Sequence, residues 1–395
     1  MLTLEENEIL TRVGPGTPCG ELFRRYWLPV APVAELTDEK PTRFVRLLGE
    51  DLVLFKDKSG GVGLIADHCA HRGASLLYGR VEERGISCAY HGWLYDTKGN
   101  CLETPAEPDG SMFHLTVKQR AYPVQSYVGL YWAYLGPEPV PVIPRYDLWA
   151  RKDGTHRVIV QPRLDCNWLQ PMENSVDPSH SRVLHADVTE RGGGRQLQNT
   201  TRGTTDAVQY FDFYELPIGI MKKRVSRNGH LDEHPLIFPN ILRHGNDTQI
   251  RVPIDDTHTQ VVFVNFEPSE DGSEVDEPEV LPVEYLGPYK MPAEGEYPFT
   301  HYTMDHVQPQ DHMAWETQGP IANRSGERLA TSDRGIVMLR EMIMREITKV
   351  QRGLDPICVF RDPNHAMIDT NHSAQMHEWS EAERRRGREP YTVPV

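Results

Sequence analysis

Two mixed pairs, Cys69-x-His71 and Cys88-x-x-His91, constrain this chain more than any other feature. They open and close the stretch "CAHRGASLLYGRVEERGISCAYH". Whatever fold surrounds them must bring four metal-seeking side chains from two loops to one place. Structural zinc usually takes C-x(2–4)-C or H-x(3–5)-H pairs, whereas here each pair joins one cysteine to one histidine. Glycines in "HRGAS" and "HGW" supply the tight bending that such loops need.

The surroundings of the pairs read as a small all-β unit. From residue 41 short strand-like runs such as "RFVRLLG", "DLVLFKD", "VGLIAD" and "YVGLYWAYLG" alternate with turns such as "KSGG" and "TKGN". The proline-rich "GPEPVPVIP" at 136–144 reads as an exit linker, since proline disfavours both helix and central strand. Residues 1–40 are expected to be an N-terminal helical segment and 41–144 the β domain. The remaining 145–395 mix helix and strand, with "CNWLQPMEN" helical and "FPNILRH", "TQIRVPI" and "VVFVNFEP" strand-like. The spacing of Ile336, Leu339, Ile343, Ile347 and Val350 predicts a core-facing helix over 333–352, with Ser332 as N-cap and Gly353 past its end.

With 395 residues the chain has room for two domains or three. A net charge of -15 argues against a nucleic-acid partner, though not against an anionic small molecule. No apolar run approaches the roughly 20 residues of a membrane span, and the N-terminus lacks the basic and apolar regions of a signal peptide. Six scattered cysteines make no disulfide framework, so a cytoplasmic location is expected.

Two thiolates and two imidazoles suit a [2Fe–2S] cluster of the Rieske type, with the cysteines on one iron and the histidines on the other. Zinc accepts the same donors and stays an alternative. The pattern C-x-H-x(16)-C-x-x-H, with its flanks "CAHRGASL" and "CAYHGWLYD", resembles that of Rieske non-haem iron oxygenases. The opening "LTRVGPGTPCGELFRRYWLPV" resembles the phthalate dioxygenase branch of that family. The resemblance implies an α+β chain: an N-terminal all-β Rieske domain, then a catalytic domain with an antiparallel sheet flanked by helices.

A second constellation lies in "MENSVDPSHSRVLHAD": Asn174, Asp177, His180 and His185. Two histidines and a carboxylate form the facial triad of non-haem Fe(II) oxygenases. Residues five apart on an ideal helix diverge by roughly 140°, so His180 and His185 share a metal only if the backbone turns between them. Asp177-Pro178 suits a new helical turn, with the aspartate as N-cap. The resemblance makes His180 and His185 iron ligands, Asp177 the carboxylate joining this site to a Rieske histidine, and Asn174 a polar neighbour of the iron. It places the third ligand at Asp311, with Asp305 and Glu316 in reserve and His312 as a bystander.

The resemblance further implies an aromatic substrate, O₂, and electrons from a separate NAD(P)H-dependent flavin/iron–sulfur reductase. The chain shows no nucleotide-binding glycine loop beyond the weak "GGGRQLQ" at 192–198. It implies assembly as a trimer, or a multiple of one, in which the cluster of one chain serves the iron of the next. An aryl carboxylate or aryl ether acid would require a cationic anchor. Arg243 is the first candidate, followed by Arg251, Arg224 and Arg202. A Rieske-type electron carrier without its own oxygenase activity is the competing expectation.

Overall fold

The structure, a computed structural model, describes residues 2–185, 208–226, 231–291, 301–370 and 391–392. Helix α1 (Leu4–Thr11) begins at a capping box in which Thr3 and Glu6 bond each other's backbone N–H. Helix α2 (Pro18–Phe23) follows with Thr17 as its cap and proline in its first turn. The N-terminal segment is not wholly helical, because Trp27–Pro32 forms a strand, β1.

Short strands continue with β2 (Thr42–Leu47), β3 (Glu50–Lys56), β4 (Val62–Ala66), β5 (Arg80–Glu82) and β6 (Gly85–Ser87). After them come β7 (Leu94–Tyr95), β8 (Cys101–Glu103), β9 (Ala121–Tyr122), β10 (Val124–Tyr127) and β11 (Leu130–Tyr134). They pair as three antiparallel sheets, β1–β11–β10, β2–β3–β4–β9 and β5–β6–β7–β8. Val53, Phe55, Ile65, Leu76, Ile86 and Tyr95 form a core on which the loops carrying Cys69 and Cys88 rest.

The second half contains α3 (Asp147–Ala150), β12 (Gly154–Val160), α4 (Leu169–Ser175) and α5 (His180–Val183). It continues with β13 (Val208–Leu216), β14 (Gly219–Ser226), β15 (Leu231–Ile237), β16 (Ile241–His244), β17 (Asp247–Asp255), β18 (His258–Pro268) and β19 (Val283–Tyr285). The pair β20 (Lys290–Met291) and β21 (His301–Tyr302) precedes α6 (Val307–Glu316) and α7 (Arg334–Gln351), and β22 is Tyr391–Thr392. Among the described residues these strands form a nine-stranded sheet in the order β19–β12–β18–β17–β16–β15–β14–β13–β22. Every pairing is antiparallel except β12 with β19. The fold is α+β.

Strand alternation sorts this sheet's side chains, because successive residues point to opposite faces. Leu242 pairs with Gln249 and Arg251 with Val261, whereas Arg243 pairs with Thr248. Gln249 and Arg251 therefore share one face, and Arg243 and Thr248 lie on the other. Ser181 of α5 accepts from Arg224 of the first face. On the opposite face Trp149 of α3 donates to Thr248.

Helix α7 buries Leu339, Ile343, Ile347 and Val350, as the spacing predicts. Its N-cap position is Asp333 rather than Ser332, and the Asp333 side chain accepts from the Ala330 N–H instead of capping the helix. Gly353 ends it at φ 75°, a conformation that glycine adopts without penalty. Buried Arg340 of α7 and buried Arg324 both bond Glu173, which ties α7 to α4.

Candidate functional site

The two cysteine–histidine loops have the same local construction. Cys69 N–H donates to the Ala74 carbonyl and the Cys69 carbonyl accepts from Gly73, while Cys88 N–H donates to Trp93 and its carbonyl accepts from Gly92. Gly73 and Gly92 sit at φ 75° and 72°, a backbone shape that disfavours residues with a Cβ. This shared shape turns both cysteines inward, 3 % and 4 % exposed. It leaves His71 exposed and His91 half-buried, with their ring centroids 4.5 Å apart. None of the six cysteines forms a disulfide.

Two buried thiols side by side and two imidazoles at the rim fit a [2Fe–2S] cluster bound by Cys69, Cys88, His71 and His91. His71 stacks on Trp93, centroids 4.3 Å apart, and His91 lies against Tyr90 at 3.8 Å. Partial burial first, then the charges of His71 and Arg72, hold the His91 pKa below its ordinary value, which favours the neutral ligating form. Tyr95 Oη lies 3.2 Å from Cys69 Sγ, a contact that spacing alone does not reveal. Hydrogen bonds to cluster sulfurs are one control on reduction potential.

The second site is built from α4, α5 and α6. Helix α5 ends at Val183, one residue before Leu184, which keeps helical dihedrals and donates to the His180 carbonyl. The expected capping differs, however. Ser179 is the N-cap residue of α5, and Asp177 instead accepts from the Ser179 N–H at 2.7 Å, shaping the bend before the helix. Burial acts to raise the Asp177 pKa, but His180, the Ser179 amide and the Lys222 charge outweigh it and hold it below the usual range.

His180, His185 and Asp311 each bring a ligand atom within 4.8 Å of the others, a group that can hold one metal ion. Nε2 of His185 lies 3.4 Å, and Nε2 of His180 3.9 Å, from Asp311 Oδ1. The opposite ring nitrogens face outer partners: His180 Nδ1 lies 3.5 Å from Asp177 Oδ2, and His185 Nδ1 lies 2.8 Å from Gln310 Oε1. Histidine metal ligands have one nitrogen inward and the other held from outside. Gln310 holds His185 by a hydrogen bond, whereas His180 Nδ1 makes no hydrogen bond and has the Asp177 carboxylate as an ionic neighbour. Burial acts to lower the His185 pKa, yet Asp311 and Gln310 push it above its ordinary value. Asn174 Nδ2 lies 3.5 Å from Asp311 Oδ1.

The other downstream carboxylates have different partners. Asp305 bonds His306 at the surface, while Glu316 is surrounded by Lys290, Tyr302 and the Asp165 N–H. His312 turns away from the triad, with Nε2 2.8 Å from Gln161 Oε1.

Arg243 does not line this site. Its guanidinium bonds Asp147 at 2.6 Å, Thr370 and the Gly245 carbonyl, on the face of the sheet opposite Arg251. Arg251 is 2 % exposed, and among the described residues its guanidinium bonds only Gln249, through Nη1 and Nη2, while its Nε has no partner. Burial pulls its pKa down to about 9, and the Asp311 charge is what opposes that. Arg202 and the 192–198 glycine run lie outside the described residues.

A cluster module ahead of a two-histidine, one-carboxylate site defines an iron-dependent oxygenase with its own electron store. The comparisons agree. Residues 26–127 match the Rieske [2Fe-2S] domain, and residues 295–378 match a family described as "LigXa C-terminal domain like". The chain is 40% identical over 374 residues to the 5,5'-dehydrodivanillate O-demethylase oxygenase subunit of Sphingobium sp. (strain NBRC 103272 / SYK-6), covering 92% of this chain and 84% of that one. It is 35% identical to the phenoxybenzoate dioxygenase subunit alpha of Ectopseudomonas oleovorans, over 91% and 89% of the two chains. The terminal oxygenase of carbazole 1,9a-dioxygenase from Nocardioides aromaticivorans IC177 shares the fold, with TM-score 0.57 at 20% identity over 87% and 96% of the chains.

The chain belongs to the Rieske non-haem iron oxygenases, as an oxygenase (alpha) subunit. It is an oxidoreductase that uses O₂, not an electron carrier alone, and its cofactors are a Rieske cluster and a mononuclear iron. Oxygenase components of this class take electrons from separate reductase or ferredoxin proteins. Among the described residues no helix is long and apolar enough to cross a membrane.

Proposed function

We propose that the chain oxygenates an aromatic carboxylate, by ring hydroxylation or by O-dealkylation of an aryl ether acid. Arg251 carries this reading. It is a buried guanidinium on the iron-facing side of the sheet with no carboxylate bonded to it among the described residues. Arginine keeps its proton in proteins, so an uncompensated buried charge favours an arriving anion, and its planar fork matches a carboxylate. The relatives named for dehydrodivanillate and phenoxybenzoate are consistent with an acid substrate.

In this reading His180, His185 and Asp311 hold the iron, which when bound supplies open coordination positions for O₂. Asp177 orients His180 from behind and forms the link to a cluster histidine of a neighbouring chain. Asn174 holds Asp311 from the side. His71 and His91 stand at the rim of the cluster module beside exposed Tyr90 and Phe113, 59% and 43% exposed, which supports burial of this rim against a second copy. A closed head-to-tail ring of three satisfies that geometry. We place the domain boundaries at 1–40, 41–144 and 145–395, with β1 of the first segment pairing into the β unit through β11. The absence of disulfides suits a reducing cytoplasm.

The test is turnover with a surrogate reductase on an aryl ether acid and on its neutral methyl ester. Substrate-dependent O₂ uptake with the acid but not the ester supports the reading, and formaldehyde release distinguishes demethylation from ring hydroxylation. Equal turnover of both, or of neither, contradicts it.

A further inference from the structure

The His185 ring is held edge-on between two consecutive side chains of α6. Its Nε2 faces Asp311 and its Nδ1 faces Gln310. Gln310 is 2 % exposed, and its Nε2 donates to the Met304 carbonyl at 3.1 Å. That carbonyl can only accept, so it fixes the orientation of the carboxamide: nitrogen toward Met304, oxygen toward His185. The oxygen in turn can only accept, so Nδ1 must carry the ring proton, which leaves Nε2 as the nitrogen available to ligate a metal shared with Asp311. Met304 has φ 53°, unusual for a residue with a side chain, in the turn that aims this carbonyl.

His180 is backed differently. Its outer nitrogen faces the Asp177 carboxylate, whereas that of His185 faces a neutral carboxamide. The two imidazoles are therefore unequal ligands, because a carboxylate partner raises ligand basicity and a carboxamide fixes direction without adding charge. Asp311 and Asp177 already place two negative charges around a divalent ion, and a third would leave the site net negative.

We infer that Gln310 is a positioning residue that selects the Nε2-ligating tautomer of His185 while keeping the second backing group uncharged. This rests on His180, His185 and Asp311 being the iron ligands.

The experiment uses the iron-loaded holoenzyme and its Gln310→Leu, Gln310→Glu and His185→Ala variants. Mononuclear iron affinity is measured by chelator competition, and the reduced, nitric-oxide-treated protein by electron paramagnetic resonance. The Rieske signal serves as the folding control. Gln310→Leu is expected to weaken iron binding roughly 10- to 100-fold with the Rieske signal intact. Gln310→Glu keeps an acceptor for Nδ1, so it should hold iron better than the leucine variant while changing the nitrosyl spectrum through its added charge. A leucine variant with wild-type affinity and spectrum would overturn the inference, as would a glutamate variant that binds no better than leucine or matches the wild-type spectrum. Iron retained by His185→Ala would instead overturn the ligand assignment.

Discussion

Nε2 of His185 lies 3.4 Å from Oδ1 of Asp311, although one residue follows α5 in mid-chain and the other lies within α6. Neither Asp305 nor Glu316 approaches the two histidines, since each is occupied by its own partners. Asp311→Ala should therefore lose the mononuclear iron and all turnover, while Asp305→Asn keeps both. Metal analysis of the two purified variants checks this, and iron loss in Asp305→Asn with retention in Asp311→Ala would reverse the assignment.

Arg251→Met should raise KM for an aryl acid roughly 30-fold or more, because removing one partner of a buried charge pair costs about 2–5 kcal/mol. The neutral ester of the same compound should bind the variant no worse than the wild type. Steady-state kinetics on the acid and ester decides it, and a parallel loss for both compounds would reduce Arg251 to a packing role.

Arg243→Leu should act on stability instead. It strands Asp147, 6% exposed, whose carboxylate bonds Arg243 and Thr370. Breaking a buried pair in this manner costs about 3–5 kcal/mol. A lowered thermal midpoint with unchanged KM in the folded fraction is the expected result, and a raised KM without destabilisation would restore Arg243 to the substrate site.

Arg243 and Arg251 also mark the limit of what the sequence discloses. Both stand in strand-like runs rich in apolar residues, and only the register, with Arg243 opposite Thr248 and Arg251 opposite Val261, separates their faces. The Cys69–His71 and Cys88–His91 loops are legible because their geometry is local, set by glycines within four residues of each cysteine. The helix over 334–351 is legible for the same reason, since periodicity reports its buried face. Gln310 is hidden because its role depends on a histidine far away in the chain. The capping expectation at Asp177 failed on a local competition, in which its side chain is used by the Ser179 amide before the helix begins.

Stability should fall in mild acid partly through His312. Burial first, then the Lys290 charge, lowers its pKa to about 3, against the pull of Asp311. The unfolded chain takes up this proton near pH 6.5 and the folded chain does not, so stability is full above that value and declines as pH drops from 6.5 toward 3. Between pH 7.5 and 5.5 this group accounts for about 1 kcal/mol. Thermal midpoints of the wild type and His312→Gln at those two pH values should show a smaller drop in the variant, and equal drops would remove His312 as a source.

Iron quantitation joined to electron paramagnetic resonance of the reduced protein, wild type beside His180→Ala, tests the two-centre oxygenase most directly. The wild type should carry three irons per chain, two in the cluster and one held by His180, His185 and Asp311. The variant should carry two, with the Rieske signal unchanged and turnover lost. A variant that keeps three irons and its turnover would contradict the mononuclear site.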